Sequence, residues 1–204
     1  MANGVYAEKE QKYVEKFQDI KAVFFRPLLY ILTALNINAN QISVLSFLIS
    51  IGSLGYSLYS FDPFYFLVGV WIHIFMDSLD GPLARYQKKA SKLGSFIDVI
   101  CDHAGILASG FYMLSFTQVN PLAVLLFITL YTIDIYNLFI ANVCKKPISI
   151  VFRPRLFVYL TIVIDFILQA NYTNNLITFL NVILLIQTML SFGKIKEVIA
   201  SIDN

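Results

Sequence analysis

The sequence predicts an all-α integral membrane protein in which six transmembrane helices follow an N-terminal amphipathic, interfacial helical segment, as one domain over residues 1–204. Three observations carry this. Of the 204 residues, 58% are hydrophobic and only 14% are charged, and the mean hydropathy is +0.70, far more apolar than a soluble domain. Apolar runs near the roughly 20 residues needed to cross about 30 Å of hydrocarbon recur from residue 41 onward. Lysine and arginine fall in alternate connections between those runs, as the positive-inside rule requires.

The same numbers exclude other classes. A net charge of +2, with its basic residues in short loops, is a topology signal and leaves no footprint for nucleic acid. Cys101 and Cys144 have neither CxxC nor Cys/His spacing, so they are read as buried or interfacial thiols. The first 27 residues lack the basic start, short apolar core and small-residue cleavage site of a signal peptide, and none is expected.

Taken in order, residues 6–20 place Tyr6, Tyr13, Phe17 and Ile20 at helical intervals among lysines and glutamates, which predicts an amphipathic helix along the membrane surface. Residues 22–35 are apolar but interrupted by Arg26 and Pro27 and too short to span, so residues 1–40 form the interfacial segment. The polar turn of residues 36–40, NINAN, ends that segment and can cap the next helix. A bundle over residues 41–192 then holds spans at about 41–61, 64–86, 93–115, 121–143, 154–170 and 174–192.

Arg26, the loop of Lys88, Lys89 and Lys92, the loop of Lys145, Lys146, Arg153 and Arg155, and Lys194 with Lys196 all fall on one side. The opposite connections, near Asp62, residues 117–120 and residues 171–173, contain no lysine or arginine. Both termini are therefore expected in the cytoplasm. The sequon Asn171-Tyr-Thr lies on the outer side, too close to the membrane for a glycan to be expected.

Within this apolar chain, residues 77–102 read DSLDGPLARYQKKASKLGSFIDVICD, which sets four aspartates in membrane-spanning sequence. An ionised aspartate there costs roughly 3 kcal/mol or more, so four require a cation or an aqueous cavity. Asp77, Asp80, Gly81 and Ala84 share one face of the second span, with His73 one turn above Asp77; Gly94, Asp98 and Asp102 share one face of the third. At 1.5 Å per residue, Asp77 and Asp102 each lie roughly 14 Å from the connecting loop, and Asp80 and Asp98 roughly 9 and 8 Å. The two pairs therefore meet at matching depths in the cytoplasmic half of the membrane. Such carboxylates either protonate or bind divalent cations, and an all-oxygen set suits Mg2+ or Mn2+, with Ca2+ also compatible. Gly81, Ala84 and Gly94 admit a ligand close to the backbone, and Arg85 can pair with phosphate oxygens. Two chemistries fit these residues: metal-assisted transfer at a substrate diphosphate, or a proton or cation pathway in a cation-coupled transporter.

The spacing Asp77, two residues, Asp80-Gly81, two residues, Ala84-Arg85, eight residues, Gly94, three residues, Asp98, three residues, Asp102 resembles the signature of the CDP-alcohol phosphatidyltransferases (class I) at every fixed position and both gaps. Before the first span, where the family often has Pro-Asn and a downstream Thr, this chain has Ala39-Asn40 and Ser43. The resemblance implies transfer of a substituted phosphate from a CDP-linked lipid donor, CDP-diacylglycerol, to an alcohol acceptor with release of CMP. It implies that Asp77, Asp80, Asp98 and Asp102 are metal ligands for Mg2+ or Mn2+, that Asp102 is the catalytic general base, and that Gly81, Ala84, Arg85 and Gly94 form the cytidine diphosphate pocket. It also suggests a homodimer in the lipid bilayer.

For the acceptor, Arg153 and Arg155 are placed to clamp a phosphate or, equally, to anchor the topology, and Asp134 with Asn137 in the fourth span are candidates for lining the acceptor side. His103 either positions an acceptor or packs between helices. Asp165 has no assignable partner in the sequence.

Overall fold

The computed structural model describes residues 21, 23–144, 148 and 151–200. Among them the structure is all-helical, without strands: α1 (Arg26–Ala34), α2 (Ala39–Ser60), α3 (Phe64–Tyr86), α4 (Lys92–Phe116), α5 (Pro121–Val143), α6 (Arg155–Leu168) and α7 (Tyr172–Ala200). The amphipathic helix expected over residues 6–20 and the loop lysines Lys145 and Lys146 lie outside the described residues. The helix ends follow local chemistry. α1 stops where Asn36 turns left-handed at φ 58°, a conformation asparagine tolerates. Asn38 then precedes α2, and its backbone N–H donates to Gln41 Oε1 at 2.8 Å, so the polar turn does cap the following helix.

Five helices, α2, α3, α4, α5 and α7, are long and apolar enough to cross a membrane. The expected fifth span is shorter than its apolar run: α6 has 14 residues, because Pro154 at its N-cap and the left-handed Gln169 at its C-cap confine it. At 1.5 Å per residue that is about 21 Å of helix. Apolar side chains left exposed along the long helices, such as Leu48, Trp71, Leu125 and Phe179, have the place of lipid-facing residues.

The chain divides into two units, the described residues up to Gly105 and those from Ile106 on. In the first, α2 and α3 pack antiparallel along a seam of small polar residues. Ser57 Oγ accepts the N–H of Phe66 at 2.7 Å, Ser46 Oγ meets His73 Nδ1 at 2.5 Å and Ser43 Oγ donates to Asp80 Oδ2 at 2.6 Å, so the partner number rises as the α2 number falls. Gly69 on α3 is buried, and a Cβ there would collide with both side-chain atoms of Ser53. Small residues allow this close approach, which in a membrane supplies packing where no hydrophobic driving force exists. α1 closes one end of the seam: Leu29, Ile42 and Leu83 form a buried cluster, and Gln87 Nε2 donates to Ile37 O at 2.7 Å. Tyr56 and Tyr65 meet edge to face at 4.5 Å near the other end, beside the exposed Tyr59 and Phe61, as in an interfacial aromatic belt.

In the second unit, α5 and α7 run parallel. Asn181 Nδ2 donates to Ala123 O, Thr188 Oγ1 to Asp134 Oδ1 and Asn137 Nδ2 to Ser191 Oγ, with both numbers rising together. α6 is the return between them. Asp165 near its end accepts the backbone N–H groups of Tyr172 and Thr173, each at 2.8 Å, and so caps the start of α7. This is the partner that the sequence did not reveal for Asp165.

The α2 and α3 seam makes a prediction. Gly69→Ala is expected to destabilise the protein by about 1–3 kcal/mol, because the new methyl is forced against Ser53. Unfolding in detergent checks this, and Ser53→Gly in the same chain should restore most of the loss.

Candidate functional site

Helices α3 and α4 carry the motif aspartates, and the connection between them is short: α3 ends at Tyr86, Lys88 turns left-handed at φ 56°, and α4 begins at Lys92. Asp77, Asp98 and Asp102 come together, each half-buried, with one carboxylate oxygen from each lying within 4.8 Å of the others. The matching depths expected from helix arithmetic thus hold for Asp77 and Asp102, and Asp98 joins them. Three carboxylate oxygens this close repel one another unless a cation or protons intervene, and the donor set is all hard oxygen. The residues therefore fit a divalent ion such as Mg2+ or Mn2+.

Asp80 is oriented differently. It is buried, 7% exposed, and its two oxygens are engaged: Oδ2 accepts from Ser43 Oγ at 2.6 Å and Oδ1 from the N–H of Gly81 at 2.6 Å. It still lies within electrostatic reach of Asp98 and Asp77. Each carboxylate oxygen has two lone pairs, so these bonds fix the group without exhausting it. Ser43 thus lies against the site; the sequence singles it out only as the residue standing where the family often has a Thr, with no sign that it bonds Asp80.

Gly81 and Ala84 are half-buried on the aspartate face of α3, while Arg85 is exposed one turn from Gly81. Gly94 is the first-turn glycine of α4. Its N–H donates to Ser91 Oγ at 3.1 Å, and a Cβ at this position would sit 3.1 Å from Asn40 Oδ1, tighter than an ordinary contact. Asn40 also lines a cavity of about 320 Å³ with Asn38, Ala39, Gln41, Gln87 and Lys89. Lys89 Nζ donates to Asn38 Oδ1 at 3.0 Å there, so the lining combines amides with one ammonium group.

In the second unit, Arg153 and Arg155 flank Pro154 at the start of α6 and are half-buried. Asp134 is buried in α5, with Oδ2 accepting from Gln187 Nε2 at 2.9 Å and Oδ1 from Thr188 Oγ1 at 2.9 Å and Ser191 Oγ at 3.5 Å. Asn137, one turn on, donates to Ser191 Oγ at 2.8 Å. The three α7 residues were missed in the sequence. Their signal is a polar trio, Gln187, Thr188 and Ser191, inside an otherwise apolar run at helical spacing. His103 is half-buried beside Asp102.

Comparison with known proteins completes the picture. A search of curated proteins and a search of solved structures gave no match. A family model described as CDP-alcohol phosphatidyltransferase matches residues 36–193, a stretch containing every aspartate of the cluster, Ser43, Arg153 and Arg155. That match covers most of the 204 residues and decides between the two chemistries left open by the carboxylates alone, in favour of group transfer over transport. The chain belongs to the CDP-alcohol phosphatidyltransferase family, membrane enzymes, generally dependent on divalent metal, that transfer a substituted phosphate group from a CDP-alcohol to an alcohol acceptor.

Proposed function

We propose that this enzyme transfers the phosphatidyl group of CDP-diacylglycerol to a small alcohol, with release of CMP, at the cluster of Asp77, Asp98 and Asp102. The observation that carries the reading is the convergence of these three carboxylates within 4.8 Å inside apolar helices. A lipid donor is supported by the site's setting in membrane-spanning sequence, where a diacylglycerol moiety stays in the hydrocarbon while its head group reaches the carboxylates.

Asp77, Asp98 and Asp102 would hold the divalent metal, with Asp80 held by Ser43 as a further ligand. When bound, the metal supplies charge neutralisation at the donor's diphosphate. Gly81, Ala84, Arg85 and Gly94 receive the cytidine diphosphate; the cavity reaching Gly94 through Asn40 supports this, being of the size small polar ligands use, about 300–1,000 Å³. Asp102 accepts the proton of the acceptor hydroxyl. The acceptor oxygen then forms a bond to the phosphorus that carries the diacylglycerol, and the bond from that phosphorus to the bridging oxygen breaks, its electron pair leaving with CMP. Arg153 and Arg155 bind a phosphate carried by the acceptor.

The topology belongs to the same reading. Six crossings place both termini and the aspartate cluster toward the cytoplasm. The parallel arrangement of α5 and α7 supports six, since the chain must recross between them and α6 is the segment that does so. The confinement of Arg26, Lys88, Lys89, Lys92, Arg153, Arg155, Lys194 and Lys196 to alternate connections supports the orientation. One domain, an interfacial segment over residues 1–40 and a homodimer complete the proposal.

The test is release of CMP from CDP-diacylglycerol by the purified chain across a panel of alcohol acceptors. Activity is expected with Mg2+ or Mn2+ and should fall to background in excess EDTA; cation flux in liposomes with no CMP release for any acceptor would overturn the reading. Asp102→Asn is expected to lower turnover by about 10²–10⁴-fold, the usual worth of a general base, while CDP-donor binding persists. Normal turnover with lost donor affinity would contradict the assignment. Replacing Arg153 and Arg155 with Ala should raise KM for a phosphorylated acceptor more than KM for the donor, whereas equal effects would leave them as topology anchors.

A further inference from the structure

The buried carboxylate of Asp134 lies outside the motif, and its surroundings lead along the chain to Arg153 and Arg155, which flank Pro154 at the start of α6. Gln187 faces two ways. Its Nε2 donates to Asp134 Oδ2 at 2.9 Å, and its Oε1 accepts the backbone N–H of Phe152 at 2.7 Å, with Nε2 also 3.5 Å from Phe152 O. Phe152 lies outside regular structure, immediately before Arg153, Pro154 and Arg155. An ionised carboxylate offers acceptors only, so it turns the Gln187 amide with its NH2 inward and its oxygen toward Phe152. The reverse orientation would set oxygen against carboxylate at one end and N–H against N–H at the other. The segment is held elsewhere too: Val151 packs on Leu138, Pro154 is buried, and the Phe152 ring stacks on Phe157 at 5.8 Å.

We propose that Asp134 and Gln187 are positioning residues that fix the main chain carrying Arg153 and Arg155, and thereby set affinity for a phosphate-bearing acceptor. Asp134 acts through Gln187 and does not touch the acceptor. The inference rests on the reading of the two arginines as an acceptor clamp.

The experiment uses the purified full chain in detergent with CDP-diacylglycerol, and glycerol 3-phosphate, inositol phosphate, glycerol and inositol as acceptor probes. It reads KM for acceptor and donor by CMP release, and the rate of trypsin cleavage after Arg155, which needs no acceptor. Gln187→Ala is expected to raise acceptor KM about three- to tenfold, the loss of roughly one net hydrogen bond, with donor KM within about twofold and faster cleavage after Arg155. Gln187→Glu sets a second carboxylate against Asp134 and should show the same split. Combining Gln187→Glu with Asp134→Asn again faces one amide with one carboxylate and keeps an acceptor for the Phe152 N–H, so both readouts should return close to the starting values.

Unchanged acceptor KM and cleavage in Gln187→Ala, or a parallel rise of both KM values, would overturn the proposal. If Gln187→Ala does not fold, the exchanged pair decides: a folded protein with the starting acceptor KM supports it, and a raised acceptor KM or failure to fold overturns it. The arginine reading fails separately. If the double Ala replacement of Arg153 and Arg155 moves both KM values equally, or CMP is released only with unphosphorylated alcohols, the clamp falls and the inference with it. A clamp that responds to the arginines but not to Gln187 overturns the inference alone.

Discussion

An ionised carboxylate inside a hydrocarbon layer costs roughly 3 kcal/mol or more, and this chain carries six aspartates in or at the ends of apolar helical segments: Asp77, Asp80, Asp98, Asp102, Asp134 and Asp165. The way each is compensated organises what surrounds it. Asp165 is satisfied by two backbone N–H groups, so the carboxylate becomes the cap of the next helix. Asp134 is satisfied by an amide and two hydroxyls. Asp80 is satisfied by a serine and by the peptide that follows it. Asp77, Asp98 and Asp102 instead face one another, which is the arrangement that the proposed chemistry uses.

The serine seam of α2 serves two ends. Ser43, Ser46, Ser50 and Ser57 are all buried, and none brings more volume than the close approach to α3 permits. Small size gives the packing, while the hydroxyls give three polar groups of α3 a partner: Asp80 Oδ2, His73 Nδ1 and the N–H of Phe66. One row of residues thereby holds the helices together and fixes the orientation of an aspartate next to the cluster of Asp77, Asp98 and Asp102. A row of alanines would serve the first purpose and fail the second.

The second unit follows the same economy with amides. Asn181 donates to the Ala123 carbonyl, Asn137 to Ser191, and Gln187 reaches both a carboxylate and a main-chain N–H. The two asparagines tie parallel α5 and α7 together, and Gln187 links α7 to the irregular segment before α6. The arginines of that segment therefore have a defined base although they lie outside any regular element or at its first residue.

Much was legible in the sequence because its signals are local and costly to violate. Apolar runs fixed the bounds of α2, α3, α4 and α5 to within two residues, since hydrocarbon thickness leaves little freedom in length. The period of the helix alone puts Asp77 and Asp102 at one depth, and the motif's spacing points to the family that the match over residues 36–193 establishes. The length of α6, set by a proline and a left-handed glutamine at its ends, was not legible from hydropathy, which sees composition and not backbone conformation. Only the tertiary structure decided which oxygens meet: that Asp98 joins Asp77 and Asp102 while Asp80 turns to Ser43, that Asp165 caps α7, and that Gln187 reaches Phe152. The reason is geometric. Hydrogen bonds form between groups about 3 Å apart across 35 or more residues of chain, as in the bonds from Ser43 to Asp80 and from Phe152 to Gln187, and neither composition nor period carries rotation about a helix axis to that accuracy.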